Sequence, residues 1–185
     1  MNREEFEKLK PKELPTLEIE PFSEVVPRLR KALPNFPECV LEQWIYRHFN
    51  QIDDYWWLGL DGLSFKKEIW SNQEILKKIG SNMLDTQDYW GDQLLIEKEP
   101  IRLTTWLAKF FAKNRTWPKL IIILHNEHEL KRPNGLELYR PYHLLEGHMR
   151  LAYMRGYIRH SIPQTPQTHE VWVTTCNPEM ISDVW

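Results

Sequence analysis

The stretch PKLIIILHN, residues 118–126, constrains this chain more than any other. Its unbroken apolar core is dominated by isoleucine and is too short for a globular helix. It reads as a strand buried on both faces. Such a strand needs sheet neighbours on its edges and helices on its faces. The flanking sequence supplies candidates. "TTWLAKFFAKN" (104–114) predicts a helix capped by Thr104 or Thr105, with Leu107, Phe110 and Phe111 on one face. "EHELKRPNGLELYR" (127–140) carries Asn134-Gly135, a hairpin signal. "PYHLLEG" (141–147) is the returning strand, "HMRLAYMR" (148–155) a helix that Gly156 is expected to stop, and "HEVWVTT" (169–175) an alternating strand. With "QLLIEKEPIRL" (93–103) read as a first strand and its exit, the order is β-α-β-β-α-β. The fold class expected is α+β.

The first half reads differently. Residues 1–34 hold Pro11, Pro15, Pro21, Pro27 and Pro34, a spacing that predicts an arm with one short helix. Residues 35–91 read as a helical, Trp-rich region. Asn35 caps an expected helix whose Leu41, Trp44, Ile45, His48 and Phe49 share a face. "DDYWWLGLDGL" is an aromatic turn region broken by Gly59 and Gly62. "SNQEILKKIG" carries a capping box from Ser71 to Glu74 and ends at Gly80. "LDTQDYW" predicts one more short helix before Gly91. Residues 92–185 would then form the sheet domain.

Charge narrows the partners. The formal net charge is −2. Residues 1–90 hold 12 Lys+Arg against 16 Asp+Glu, or −4, and residues 91–185 hold 12 against 10, or +2. That split suits one phosphorylated ligand better than a broad DNA surface. Cys39 and Cys176 are too few for a zinc ribbon or a disulfide framework. No signal peptide and no membrane span are read from the sequence, so a cytoplasmic protein is expected.

The turn "LLEGHMR" carries the clearest chemical suggestion. A helix opening after Gly147 would aim its first N–H groups and its positive dipole end outward. Glycine lets a phosphate approach the backbone. Arg150 could clamp phosphate oxygens and His148 could donate to them. The plain alternative is that Glu146 is a favourable charge near the helix start, with Arg150 its partner.

The segment "LLEGHMRLAYMRG" resembles the signature of the ParB/sulfiredoxin superfamily, in which a strand ends in Gly-His-His-Arg or a variant and a helix follows. "PIRLTTWLAKFFAKNRTWPKLIIIL" is similar to that family's strand, helix and Pro-led second strand, and "HEVWVTT" fits downstream. The resemblance covers roughly residues 93–176. It implies a ParB/sulfiredoxin-like mixed sheet with helices, preceded by the helical N-terminal region. Gly147, His148 and Arg150 match the motif, and Met149 departs from its second histidine. Sulfiredoxins have their catalytic cysteine where His148 stands, which excludes that chemistry. The chromosome-partitioning CTPases have Gly-Glu-Arg-Arg, of which only Gly147 and Arg150 are present. The family's free-serine kinases have an acidic residue before the motif, where Glu146 stands, and a glutamate base near the first strand, where Glu97 and Glu99 stand. The resemblance therefore implies a bacterial-type protein binding a nucleotide or phosphate through Glu146, Gly147, His148 and Arg150. It would be an NTPase or small-molecule kinase using Glu97 or Glu99, His148 and Arg150, with Mg²⁺ and a nucleoside triphosphate or diphosphate. The alternatives are a DNA- or RNA-binding protein or nuclease, and a non-catalytic protein partner acting through the N-terminal half.

Two further groups are weaker. His125 and His128, with Glu127 between them, form a His-x-x-His without a third fixed ligand and read as an exposed turn, whereas a metal bound there would favour the nuclease alternative. Trp106 and Trp117 flank Lys109, Lys113 and Arg115. That pattern suits either stacking on single-stranded nucleic acid or an amphipathic helix with a basic outer face, and the second reading is the simpler.

Overall fold

The computed structural model describes residues 1, 3–15, 18–95, 104–132 and 134–177. It is a mixed α+β structure in two compact units. Unit 1 comprises Met1–Phe65, Lys131–Glu137 and Thr174–Trp185, and unit 2 comprises Lys66–Leu130 and Leu138–Val173.

Unit 1 is built from short helical pieces. Helix α1 is Arg3–Glu7 and helix α2 is Phe22–Ala32. The arm thus holds a longer helix than its prolines suggested. Pro27 forfeits one helical bond, while Val25 and Leu29 are fully buried and anchor the helix. Glu20 accepts from Arg28 Nη1 at 2.8 Å and Nη2 at 2.7 Å. That hydrogen bond to Arg28 outweighs burial and holds the Glu20 carboxyl down at about 2. The helix expected after Asn35 is only a turn, α3 (Glu38–Val40), which widens into a π-helical stretch over Leu41–Tyr46. Of the face read from the sequence, Leu41, Trp44, Ile45 and Phe49 are buried and His48 is half-buried. Phe6 stacks on Phe49 at 4.5 Å. Two 3₁₀ turns, Trp56–Leu58 and Leu60–Gly62, meet at Gly59, whose φ of 67° suits glycine.

Unit 2 is organised by a five-stranded sheet in the order β1-β5-β3-β4-β2. The strands are β1 (Ser64–Ser71), β2 (Ile79–Gly80), β3 (Ile122–His125), β4 (Tyr142–Glu146) and β5 (Thr168–Thr175). Unit 1 takes the first two residues of β1 and the last two of β5. Strand β3 is central, as its apolar run requires, and Ile122, Ile123 and Leu124 are fully buried. It pairs antiparallel with β4, which pairs parallel with β2.

Among the described residues, four helices complete unit 2: α4 (Asn72–Lys78), α5 (Leu84–Leu95), α6 (Trp106–Asn114) and α7 (His148–Arg159). The capping box is present, with Glu74 N–H donating to Ser71 Oγ at 3.3 Å and Ser71 N–H to Glu74 Oε2 at 2.9 Å. Thr105 is the cap of α6, accepting from Ala108 N–H at 3.2 Å. The core joins Ile75, Leu94, Phe111, Trp117, Ile121, Leu144, Leu151 and Tyr153.

Three expectations are corrected here. Residues 64–71 form a strand within the region read as helical. Residues 93–95 end a helix rather than begin a strand. Gly91 and Gly156 do not stop their helices, because α5 and α7 run through them and touch there. A Cβ on Gly156 would lie 2.6 Å from the Gly91 carbonyl oxygen, and one on Gly91 would run into the Ala152 carbonyl. The two glycines let the backbones meet. Carboxylates and arginines then zip the pair along both helices. Asp88 accepts from Arg155 Nε at 2.6 Å and Nη2 at 2.9 Å, and Arg159 Nη2 donates to Asp92 at 2.6 Å. Burial alone would raise the Asp88 carboxyl, but Arg155 and Arg159 outweigh it and hold it below its ordinary value.

Candidate functional site

The turn between β4 and α7 has the shape the sequence suggests. The strand alternates, with His143 and Leu145 on one face and Leu144 on the other, and it ends at half-buried Glu146. Gly147 then adopts φ 103°, the left-handed conformation that turns the strand into the helix. Space makes the same demand, since a Cβ there would lie 2.7 Å from the Ile121 Cγ2 methyl. The first i→i−4 bond of α7 runs from Leu151 N–H to Gly147 O at 2.8 Å. The amides of residues 148–150 lie ahead of it, at the positive end of a twelve-residue helix.

Arg150 is only 8% exposed. Its Nη1 donates to the Lys119 carbonyl at 2.9 Å and the Leu120 carbonyl at 3.3 Å, and its Nη2 pairs with the Glu146 carboxylate. The guanidinium therefore ties the turn to the chain entering β3. This is the plain pairing of Glu146 with Arg150, one helical turn apart. Removing one member of such a buried pair costs about 3–5 kcal/mol. Arg150 is a positioning residue in this geometry, and Glu146 is its partner.

Met149, at the position of the expected second histidine, packs against the hydrophobic core. That packing is a physical reason for an apolar residue there. His148 is half-buried at the first position of the helix. Glu146, Gly147, His148 and Arg150 all lie on this turn. Glu97 and Glu99, the expected catalytic carboxylates, lie outside the described residues.

The remaining candidates separate. His125 stacks on Tyr142 at 4.7 Å, with Nε2 3.5 Å from Glu127 Oε1, and His128 is exposed. Among the described residues no group of three metal-binding side chains occurs. Trp117 belongs to the core and its Nε1 donates to the Glu170 carbonyl at 3.1 Å. Arg115 lies over the Tyr157 ring and donates to its hydroxyl at 3.1 Å. Trp106, by contrast, is 68% exposed.

Sequence reasoning missed the carbonyls of Lys119 and Leu120 and the Ile121 methyl, which fix the turn. It also missed two buried histidines. His143 Nδ1 accepts from Tyr139 N–H at 3.2 Å. His169 Nε2 lies 2.9 Å from Asn72 Oδ1, and burial depresses its pKa to about 4. Both sit in strands, and the Asn72 that meets His169 lies far back along the chain.

No family model, curated protein or solved structure matches the chain. Among the described residues no helix is long and apolar enough to cross a membrane.

Proposed function

We propose that this is a ParB/sulfiredoxin-like protein that binds a nucleotide or phosphate at the Gly147–Arg150 turn. The observation that carries the reading is left-handed Gly147, which opens α7 directly after β4 and so puts the positive end of a twelve-residue helix at the turn. In this reading the amides of His148, Met149 and Arg150 receive phosphate oxygens, and His148 adds a side-chain donor. Arg150 acts through Glu146 and two carbonyls, holding the turn in shape. Phosphoryl transfer or NTP hydrolysis would further require Glu97 or Glu99 to orient a hydroxyl or water. Mg²⁺ would be held chiefly by the nucleotide's own phosphates, as this hard cation prefers.

The test is calorimetric titration of ATP, ADP, CTP and GTP with Mg²⁺ into the full chain, wild type beside His148→Ala. The variant leaves the Glu146 and Arg150 side chains in place. Binding of one nucleotide, weakened about tenfold by loss of a charge-assisted donor, is expected. Binding unchanged by His148→Ala would place the ligand elsewhere.

The commitment of Arg150 to Glu146 favours a second reading, in which the turn is a structural joint and the chain works by binding a macromolecule. Absence of nucleotide binding in the wild type would favour it.

A further inference from the structure

The outer face of α6 carries two parallel tracks. Trp106 and Phe110 form an aromatic track, with ring centroids 5.7 Å apart and planes tilted by 40°. Lys109 and Lys113 form a cationic track beside it. Each pair is separated by four residues, so both tracks share one pitch of about 6 Å along the helix. Trp106, Lys109 and Lys113 are exposed and Phe110 is half-buried. Phe111 and Ala108 occupy the opposite, buried face, so core packing does not account for the exposed tryptophan. The helix WLAKFFAKN contains no acidic residue. Among the described residues no carboxylate pairs with Lys109 or Lys113.

An exposed indole is an amphipathic surface with a π-face that remains to be covered. A partner for this face must offer flat rings and negative charge, repeating together. A single nucleic-acid strand does so, because each residue carries one base and one phosphate. We propose that the outer face of α6 binds single-stranded nucleic acid, with bases stacked on Trp106 and Phe110 and phosphates paired with Lys109 and Lys113. Stacking tolerates any base, so recognition here is independent of sequence. A chain of net charge −2 favours a short electrostatic footprint. The proposal does not depend on the Gly147 turn.

The experiment is fluorescence anisotropy of a labelled oligothymidylate of about a dozen nucleotides, titrated with the full chain at several salt concentrations. Trp106→Ala and the Lys109→Ala/Lys113→Ala pair are compared with wild type. All three positions are exposed, so the variants keep the fold, and circular dichroism checks that they do. Wild type is expected to bind, and Trp106→Ala to bind about tenfold more weakly. The lysine pair is expected to lower the slope of log affinity against log salt by about 1.4, from two phosphates at roughly 0.7 each. Three outcomes would overturn the proposal. The first is no binding at low salt. The second is equal binding by wild type and both variants. The third is capture of an acidic, aromatic peptide with the same residue dependence while the oligonucleotide is refused.

Discussion

Helices α6 and α7 both carry aromatic rings and cations, and they use them in opposite ways. Every arginine of α7 is committed. Arg150 holds Glu146 and two carbonyls, Arg155 grips Asp88 and the Leu76 carbonyl, and Arg159 reaches Asp92. Its Tyr153 and Tyr157 are buried edge-on against Phe111. Helix α6 leaves Trp106, Lys109 and Lys113 on the surface. The difference lies in the acids. Helix α7 has Glu146 one turn before Arg150, and its glycine-mediated contact with α5 brings in Asp88 and Asp92. Helix α6 has no acid of its own. A cation near the start of a helix therefore says little about ligands until its carboxylate neighbours are counted.

The largest effect should come from breaking the α7 network. Arg155→Ala removes two charged hydrogen bonds to Asp88 and the donor to the Leu76 carbonyl, while Arg159 stays beside Asp88, and is expected to cost about 3–5 kcal/mol in urea unfolding. A cost under 1 kcal/mol would show that solvent replaces the guanidinium easily. Gly91→Ala should follow at about 3 kcal/mol, because the added methyl meets the Ala152 carbonyl and forces the helices apart. Unchanged stability there would mean that the crossing has slack.

Acid should loosen the sheet at His169. Its folded pKa is depressed by burial to about 4, against an ordinary 6.5. The unfolded chain thus binds a proton that the folded chain refuses between those values. Stability is full above about pH 6.5 and falls as pH drops toward 4, by about 2–3 kcal/mol. His169→Gln should flatten that part of the stability–pH curve, and an identical slope in the variant would remove His169 from the account. The smallest effect belongs to α6: Trp106→Ala should change stability by no more than about 0.5 kcal/mol. A larger loss would mean that the indole is already covered.

Local signals in the sequence were readable. The isoleucine run of β3, the Ser71–Glu74 box, the Thr105 cap and the strand–Gly147–helix turn each depend on residues within a few positions. Long-range causes were not. Gly91 and Gly156 read as helix stops because the partner that needs each glycine lies far along the chain. Strand β1, "SFKKEIWS", escaped notice because Trp70 alone is buried and the exposed lysines hide any alternation. The role of Arg150 was half legible. Glu146 is one turn away, but the carbonyls of Lys119 and Leu120 belong to the chain before another strand.

The central claim is that Arg150 is a strut of the turn, held by Glu146 and the carbonyls of Lys119 and Leu120. A double-mutant cycle of Glu146→Gln and Arg150→Met, read by urea unfolding, tests it most directly. A coupling of about 1–3 kcal/mol between the two positions is expected. A coupling near zero, with both single variants as stable as wild type, would contradict it and return the Arg150 guanidinium to the role of ligand clamp.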